Sequence, residues 1–349
     1  MKESRKSNIL EQHYINNIKT YEENTLITEI LKIKKIEDKT IFFTIRDNKI
    51  GLYMEGIVIE LYISNNKVFI SPTKSEKVGL TKKEITSIDD YLKYMNEIRE
   101  KIIIYQEKTN SMREKKFQHQ LTTEINKIES LKKIYGEIYI IDAELFIFLT
   151  EYKTQQSNKG KVDLVGISEK GKLIYIEVKI DGTVILGSNG INKHCYDIEK
   201  HVRYQKEGIN KLINQINKLF NKNIPFINNE IPDFVLLCAY NDKTKYDVVD
   251  QICELISKKI VDGLKTDKEL VSINGSTEGI KTIYEHFSDL KAINVNARAF
   301  LIKIQGSTIV GDVPLKPYIN NSYQDKLFHY TRTRIIDYLK RRDKEWNIS

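Results

Sequence analysis

The stretch Lys161–Lys179, KVDLVGISEKGKLIYIEVK, decides how this chain is read. Two apolar runs flank SEKGK, whose glycine and polar residues mark a turn. A three-residue loop at Glu169–Gly171 sets Ser168 opposite Lys172. Carried outward, that register puts Asp163 directly across from Glu177, with Cβ atoms roughly 5 Å apart. Strand side chains alternate between faces, so Lys179 projects from the same face as Glu177. Ile174, Ile176, Val178 and Ile180 form the opposite face. One face of the hairpin is therefore expected to enter a core. The other gathers two carboxylates and an amine at one end.

Two carboxylates that close repel each other unless a proton or a cation lies between them. A hard divalent ion suits the pair, and Mg²⁺ takes one or two carboxylates while keeping several waters. Such an ion polarises a phosphoryl oxygen and lowers the pKa of water, and a neighbouring amine can position that water. This is equipment for attack on a phosphodiester. The bland alternative is an exposed hairpin edge whose cross-strand ion pair contributes about 0–1 kcal/mol.

The chain has 349 residues, enough for two or three domains, and its 40% hydrophobic and 30% charged content is that of a globular protein. A formal net charge of +8 is compatible with a polyanionic partner such as nucleic acid. Three cysteines, Cys195, Cys238 and Cys253, form no CxxC pair and no zinc spacing. They are expected to be small buried hydrophobes in a reducing compartment. No apolar run reaches the roughly 18 residues of a membrane span, and no apolar run follows the charged N-terminus. A cytoplasmic location is expected.

The expected fold class is α+β or α/β, with an N-terminal antiparallel β meander followed by a mixed sheet flanked by helices. Residues 1–80 form the β-rich domain, with LITEILKIKKI, TIFFTIR, IGLYMEGIVIELYI and KVFISP as its strands. Residues 81–110 form a helical connector, in which Tyr91, Met95, Ile98 and Ile102 fall at helical spacing. Residues 111–349 form the second domain, which opens on a helix that Asn110 or Ser111 can cap and closes on a basic helix. Strands are expected at EIYIIDAELFIFL, DFVLLCAY and AFLIKIQ besides the hairpin.

Asp163 followed by Glu177-Val178-Lys179 resembles the PD-(D/E)XK nuclease superfamily, the restriction-endonuclease-like fold. The resemblance covers roughly residues 111–305, where helix, strand, Asp strand, Glu-x-Lys strand, helix, strand, helix and strand follow in that order. Val162 stands where the motif's proline would be. The resemblance implies that Asp163 and Glu177 bind Mg²⁺ (or Mn²⁺) with help from the Val178 carbonyl, and that Lys179 serves the water nucleophile. It also implies a glutamate on the first helix, for which Glu114 is the candidate and Glu124 its rival; Glu151, at the end of the strand before Asp163, is a separate supporting acid. Lys200, Arg203 and Lys206 recur every three residues, so they form a stripe that can contact nucleic-acid phosphates. Arg332, Arg334, Lys340, Arg341 and Arg342 form either a second such surface or a solvated face. The function implied is a metal-dependent DNA endonuclease, in restriction or anti-phage defence, acting as a homodimer. A protein partner can use the N-terminal domain. The alternatives are a catalytically degenerate nucleic-acid-binding or scaffold subunit and an RNA-cleaving nuclease.

Overall fold

The structure is a computed structural model and describes residues 15–37, 39–46, 48–72, 79–109, 113–148, 159–180, 208–226, 232–241, 243, 296–305 and 308–314. The chain divides into two compact units. One holds Met1–Ile125, Tyr139–Ala143 and Gln205–Asn228, and the other holds Asn126–Ile138, Glu144–Tyr204 and Asn229–Ser349. The class is mixed α and β: among the described residues a two-stranded and a five-stranded sheet are antiparallel and a six-stranded sheet is mixed. Among the described residues no helix is long and apolar enough to cross a membrane.

The first unit opens with α1 (Ile18–Glu22) and α2 (Thr25–Ile30), then a short pair β1 (Lys35–Ile36) and β2 (Lys39–Thr40). Strands were expected to begin at Leu26, yet Thr25–Ile30 is a helix. The Asn24 side chain accepts from the Ile27 N–H at 3.0 Å, which caps the first turn. Ile27, Ile30 and Leu31 are buried at helical spacing, so the apolar run follows a period near 3.6 and not 2. A five-stranded antiparallel sheet follows, ordered β3 (Phe42–Arg46), β4 (Lys49–Met54), β5 (Ile57–Ser64), β6 (Lys67–Pro72), β7 (Lys83–Ile85). β7 lies where the helical connector was expected to start. Asn65 and Asn66 both hold positive φ, 50° and 59°, and close the β5–β6 hairpin as the two central residues of a tight turn. In β5 and β6 the buried residues alternate with half-exposed ones, so one face of each enters the core.

Helix α3 (Ile88–Thr109) buries Tyr91, Met95, Ile98 and Ile102 as its spacing requires, and α4 (Arg113–Glu124) buries Phe117 and Leu121. The helix over 208–220 also belongs to this unit, where Phe220 meets Phe43 at 6.0 Å between ring centroids. Thr44 donates to the Ile141 carbonyl, and the Arg46 guanidinium reaches Asp142 at 2.7 Å. Tyr53 donates to the Ala143 carbonyl at 2.6 Å.

The mixed sheet has six strands. Its order is β13 (Thr308–Pro314), β12 (Asn296–Gln305), β11 (Asp233–Tyr240), β10 (Leu173–Ile180), β9 (Lys159–Ser168), β8 (Ile138–Phe148). β10, β11 and β12 run parallel to one another, and β9 and β13 pair antiparallel at the two sides of that block. All eight residues of β10 and all eight of β11 are buried, as the central strands of a two-sided sheet must be. Helix α5 (Glu129–Tyr135) is fixed to the sheet at both ends. Asp312 accepts from the Glu129 and Ser130 N–H groups at 3.0 and 2.9 Å, and the Tyr135 hydroxyl donates to Asp233 at 2.7 Å.

Candidate active site

The hairpin takes the register that its turn chemistry dictates. The Ser168 N–H donates to the Lys172 carbonyl at 2.8 Å, and the Gly171 N–H donates back to Ser168 at 2.8 Å. Gly171 has φ +82°, the conformation that closes a three-residue loop without steric cost. The strand partners run from Leu173↔Ile167 through Ile176↔Leu164, the register in which Asp163 stands across from Glu177.

Hydrogen-bonded pairs alternate along an antiparallel ladder, so the next β10 residue to face β9 is Val178, whose strand partner would be Val162. The Val178 N–H instead donates to the Asp163 carboxylate, Oδ2, at 2.9 Å. The Asp163 side chain thus takes over where the backbone ladder ends. A strand residue turns its N–H and C=O to the same side, so the Val178 carbonyl also points toward β9.

Lys179 donates to Glu177 Oε1 at 2.7 Å, two residues along the strand and on one face. Glu177 is 0% exposed, Asp163 6% and Lys179 8%. The exposed-edge alternative does not describe this hairpin: the polar face is buried as well as the apolar one. A lone carboxylate with no exposure is strongly disfavoured, and the ammonium beside Glu177 offsets that cost.

The parallel partner β11 extends this face. Lys179 lies in register with Cys238, and Glu177 with Leu236. Cys238 is a free buried thiol pushed up to about 12, chiefly by burial, with Lys179 pulling it down and Glu177 pushing it further up. It stays protonated at neutral pH and fills space as a small hydrophobe. One step further, Tyr240 is in register with Lys303 of β12, which places a second buried lysine on the face that carries Lys179. Lys303 was not singled out in the sequence. Its signal is the one that marks Lys179, a lone lysine inside an apolar strand, here AFLIKIQ.

The structure thus brings together Asp163, Glu177, Val178 and Lys179. Glu114 lies in the first turn of α4 in the first unit, where Gln118 donates to it at 3.3 Å. Its rival Glu124, at the end of the same helix, accepts from Gln120 at 2.6 Å. Glu151, the stripe of Lys200, Arg203 and Lys206, and the group of Arg332, Arg334, Lys340, Arg341 and Arg342 lie outside the described residues. Cys195 and Cys253 do as well. Among the described residues no group of three or more His, Cys, Asp and Glu side chains could hold a metal ion. The candidate donor set is therefore two carboxylates and a backbone carbonyl, a set of hard oxygen donors.

No protein-family profile matches the sequence, and no curated protein matches it. Among solved structures the chain is similar to SfsA of Pyrococcus furiosus in complex with Ca²⁺, at 11% identity and a TM-score of 0.24, covering 78% of this chain and 91% of that one.

Proposed function

We propose that this chain is a metal-dependent nuclease with a restriction-endonuclease-like catalytic unit, hydrolysing phosphodiester bonds of DNA. The observation that carries the reading is the buried meeting of Asp163, Glu177 and Lys179 where the β9–β10 ladder ends. Structural hairpins do not ordinarily bury two carboxylates and an amine on one face, because each charge must be desolvated. The donor set fits Mg²⁺, which favours oxygen ligands, takes one or two carboxylates and retains water. Asp163, Glu177 and the Val178 carbonyl would hold it. When bound, the ion supplies charge stabilisation at the phosphoryl oxygen and a more acidic water. Lys179 holds its ammonium on Glu177 and is placed to orient the attacking water by hydrogen bonding. The strand pair fixes both side chains, so the site is organised before substrate arrives.

The overall charge of +8 suits a polyanionic substrate. Restriction or another anti-phage role, a homodimer able to cut both strands, and a recognition role for the N-terminal unit complete the proposal. A second reading is favoured by the 2.7 Å contact of Lys179 with Glu177, which neutralises that carboxylate without an ion. In it the chain binds nucleic acid and does not cut.

Purified protein incubated with plasmid, linear duplex, single-stranded DNA and RNA, each with Mg²⁺, Mn²⁺ or EDTA, separates the readings. The proposal expects DNA cleavage with either ion, none in EDTA, and loss of cleavage in Asp163→Asn and Glu177→Gln. Binding without cleavage in all conditions leaves only the second reading. Cleavage of RNA alone reassigns the substrate.

A further inference from the structure

On the first unit's sheet, the solvent face of β5 and β6 carries two aromatic rings in direct register, Tyr62 and Phe69. Their centroids are 5.8 Å apart with planes 30° from parallel, and both side chains are half-buried. Cations gather over these rings. Lys82 Nζ lies 3.8 Å from the Phe69 centroid and 5.2 Å from that of Tyr62, and Lys49 Nζ lies 4.8 Å from Tyr62. At the rim Lys49 pairs with Glu60 at 2.5 Å and Lys67 with Glu84 at 2.9 Å. Lys82 is exposed and makes no ion pair among the described residues.

We infer that the Tyr62–Phe69 face is a docking surface for single-stranded nucleic acid, with bases stacked on the two rings and backbone phosphates met by Lys82, Lys49 and Lys67. The inference rests on the reading that the chain acts on nucleic acid, and adds a place where a strand is held outside the catalytic hairpin. The physical case has three parts. Apolar rings on the solvent side of a strand forgo the burial that their hydrophobic area would gain in a core. A base presents a π-face of matching size, and base–ring stacking tolerates any sequence. Three lysines against two glutamates leave the patch positive, which suits a phosphate backbone and disfavours an acid-poor or basic polypeptide. Lys82 now caps the rings itself. A base entering from solvent would displace its flexible ammonium toward the adjacent phosphate, so one contact is exchanged for two.

The test measures binding of the full-length protein to fluorescein-labelled 20-nucleotide oligothymidine and to a 20-unit abasic deoxyribose-phosphate oligomer. EDTA is present throughout so that nothing is cut. Tyr62→Leu and Phe69→Leu keep an apolar side chain of similar bulk on the strand, and their melting temperatures check that the fold is retained. Each is expected to weaken oligothymidine binding roughly 5- to 100-fold, the range of base–ring stacking, and to leave abasic binding unchanged. Lys82→Ala should flatten the dependence of log K on log[salt] by about 0.7, one phosphate contact on a single strand. Equal affinity of the wild type for the two oligomers overturns the inference, as does wild-type affinity in both leucine variants. Absence of binding to either oligomer also overturns it. Cleavage assays on the same variants with Mg²⁺ distinguish this failure from failure of the nuclease reading, which rests on Asp163 and Glu177.

Discussion

Replacing Lys179 with Met tests the site through stability before any substrate is known. Methionine keeps most of the length of the lysine stem and removes the ammonium that lies 2.7 Å from Glu177 Oε1. Glu177 has no exposure, so its charge would be left in a poorly solvating interior. Removing one partner of a buried pair costs about 3–5 kcal/mol. At about 2–4 °C per kcal/mol for a unit of this size, the melting temperature should fall by roughly 6–20 °C. The double variant Glu177→Gln/Lys179→Met removes both charges at nearly constant shape and should recover most of that loss. Urea unfolding in EDTA, followed by circular dichroism on wild type, both single variants and the double, gives the coupling energy directly. A Lys179→Met variant within about 0.5 kcal/mol of wild type would refute the argument, because that is the behaviour of a solvated surface pair.

Mg²⁺ or Mn²⁺ should raise the melting temperature of the wild type by mass action on the native state, and Asp163→Asn should lose most of the rise; an equal rise in both moves the ion elsewhere. His119 is held neutral by burial, its pKa brought down to about 4 from an ordinary 6.5, while a Tyr53 backbone bond and Glu55 oppose that shift. Its folded value lies below its unfolded value, so stability is full above pH 6.5 and falls by about 1.4 kcal/mol per pH unit toward pH 4. His119→Gln should flatten the urea midpoint between pH 7 and 5, and identical slopes in the two proteins would count against it. Gly136 has φ +67° and ψ −145°, a conformation nearly restricted to glycine, and a Cβ there would lie 2.8 Å from Glu169 Cβ in the hairpin turn. Gly136→Ala should therefore cost at least about 1–3 kcal/mol in the same unfolding assay, and an unperturbed variant would show that the turn relaxes freely.

The hairpin was legible because everything that fixes it is local. A glycine with positive φ, a three-residue loop and a period of two determine which residues oppose each other, and nineteen consecutive residues contain all of it. The same local logic failed at Thr25–Ile30, where β-branched residues suggested a strand while the Asn24 cap and the spacing of Ile27, Ile30 and Leu31 fit a helix. Propensity is the weaker signal there, since burial on one stripe stabilises a short helix that propensity alone does not. What the sequence could not supply is what covers the polar face. An exposed and a buried Glu-x-Lys strand have the same pattern, and the difference arises from distant partners such as β11, which pairs with β10 from Ile174 to Ile180. Lys303 shows the same limit from the other side. It reaches the face of Lys179 through two parallel registers with β11 as intermediary, a relation between residues 124 positions apart that no local period encodes. That distant placement changes how the site must be probed. Alanine at Lys179 or Glu177 removes core packing and charge compensation together, so loss of cutting in such variants would not by itself assign chemistry. Isosteric exchanges, Asp163→Asn and Glu177→Gln, keep the buried volume and remove the negative charge. If these abolish cleavage while holding a near-native urea midpoint, the carboxylates act in the reaction. If the midpoint collapses with the activity in Asp163→Asn, which leaves the Glu177–Lys179 pair intact, Asp163 acts by holding β9 against β10 through its bond to the Val178 N–H.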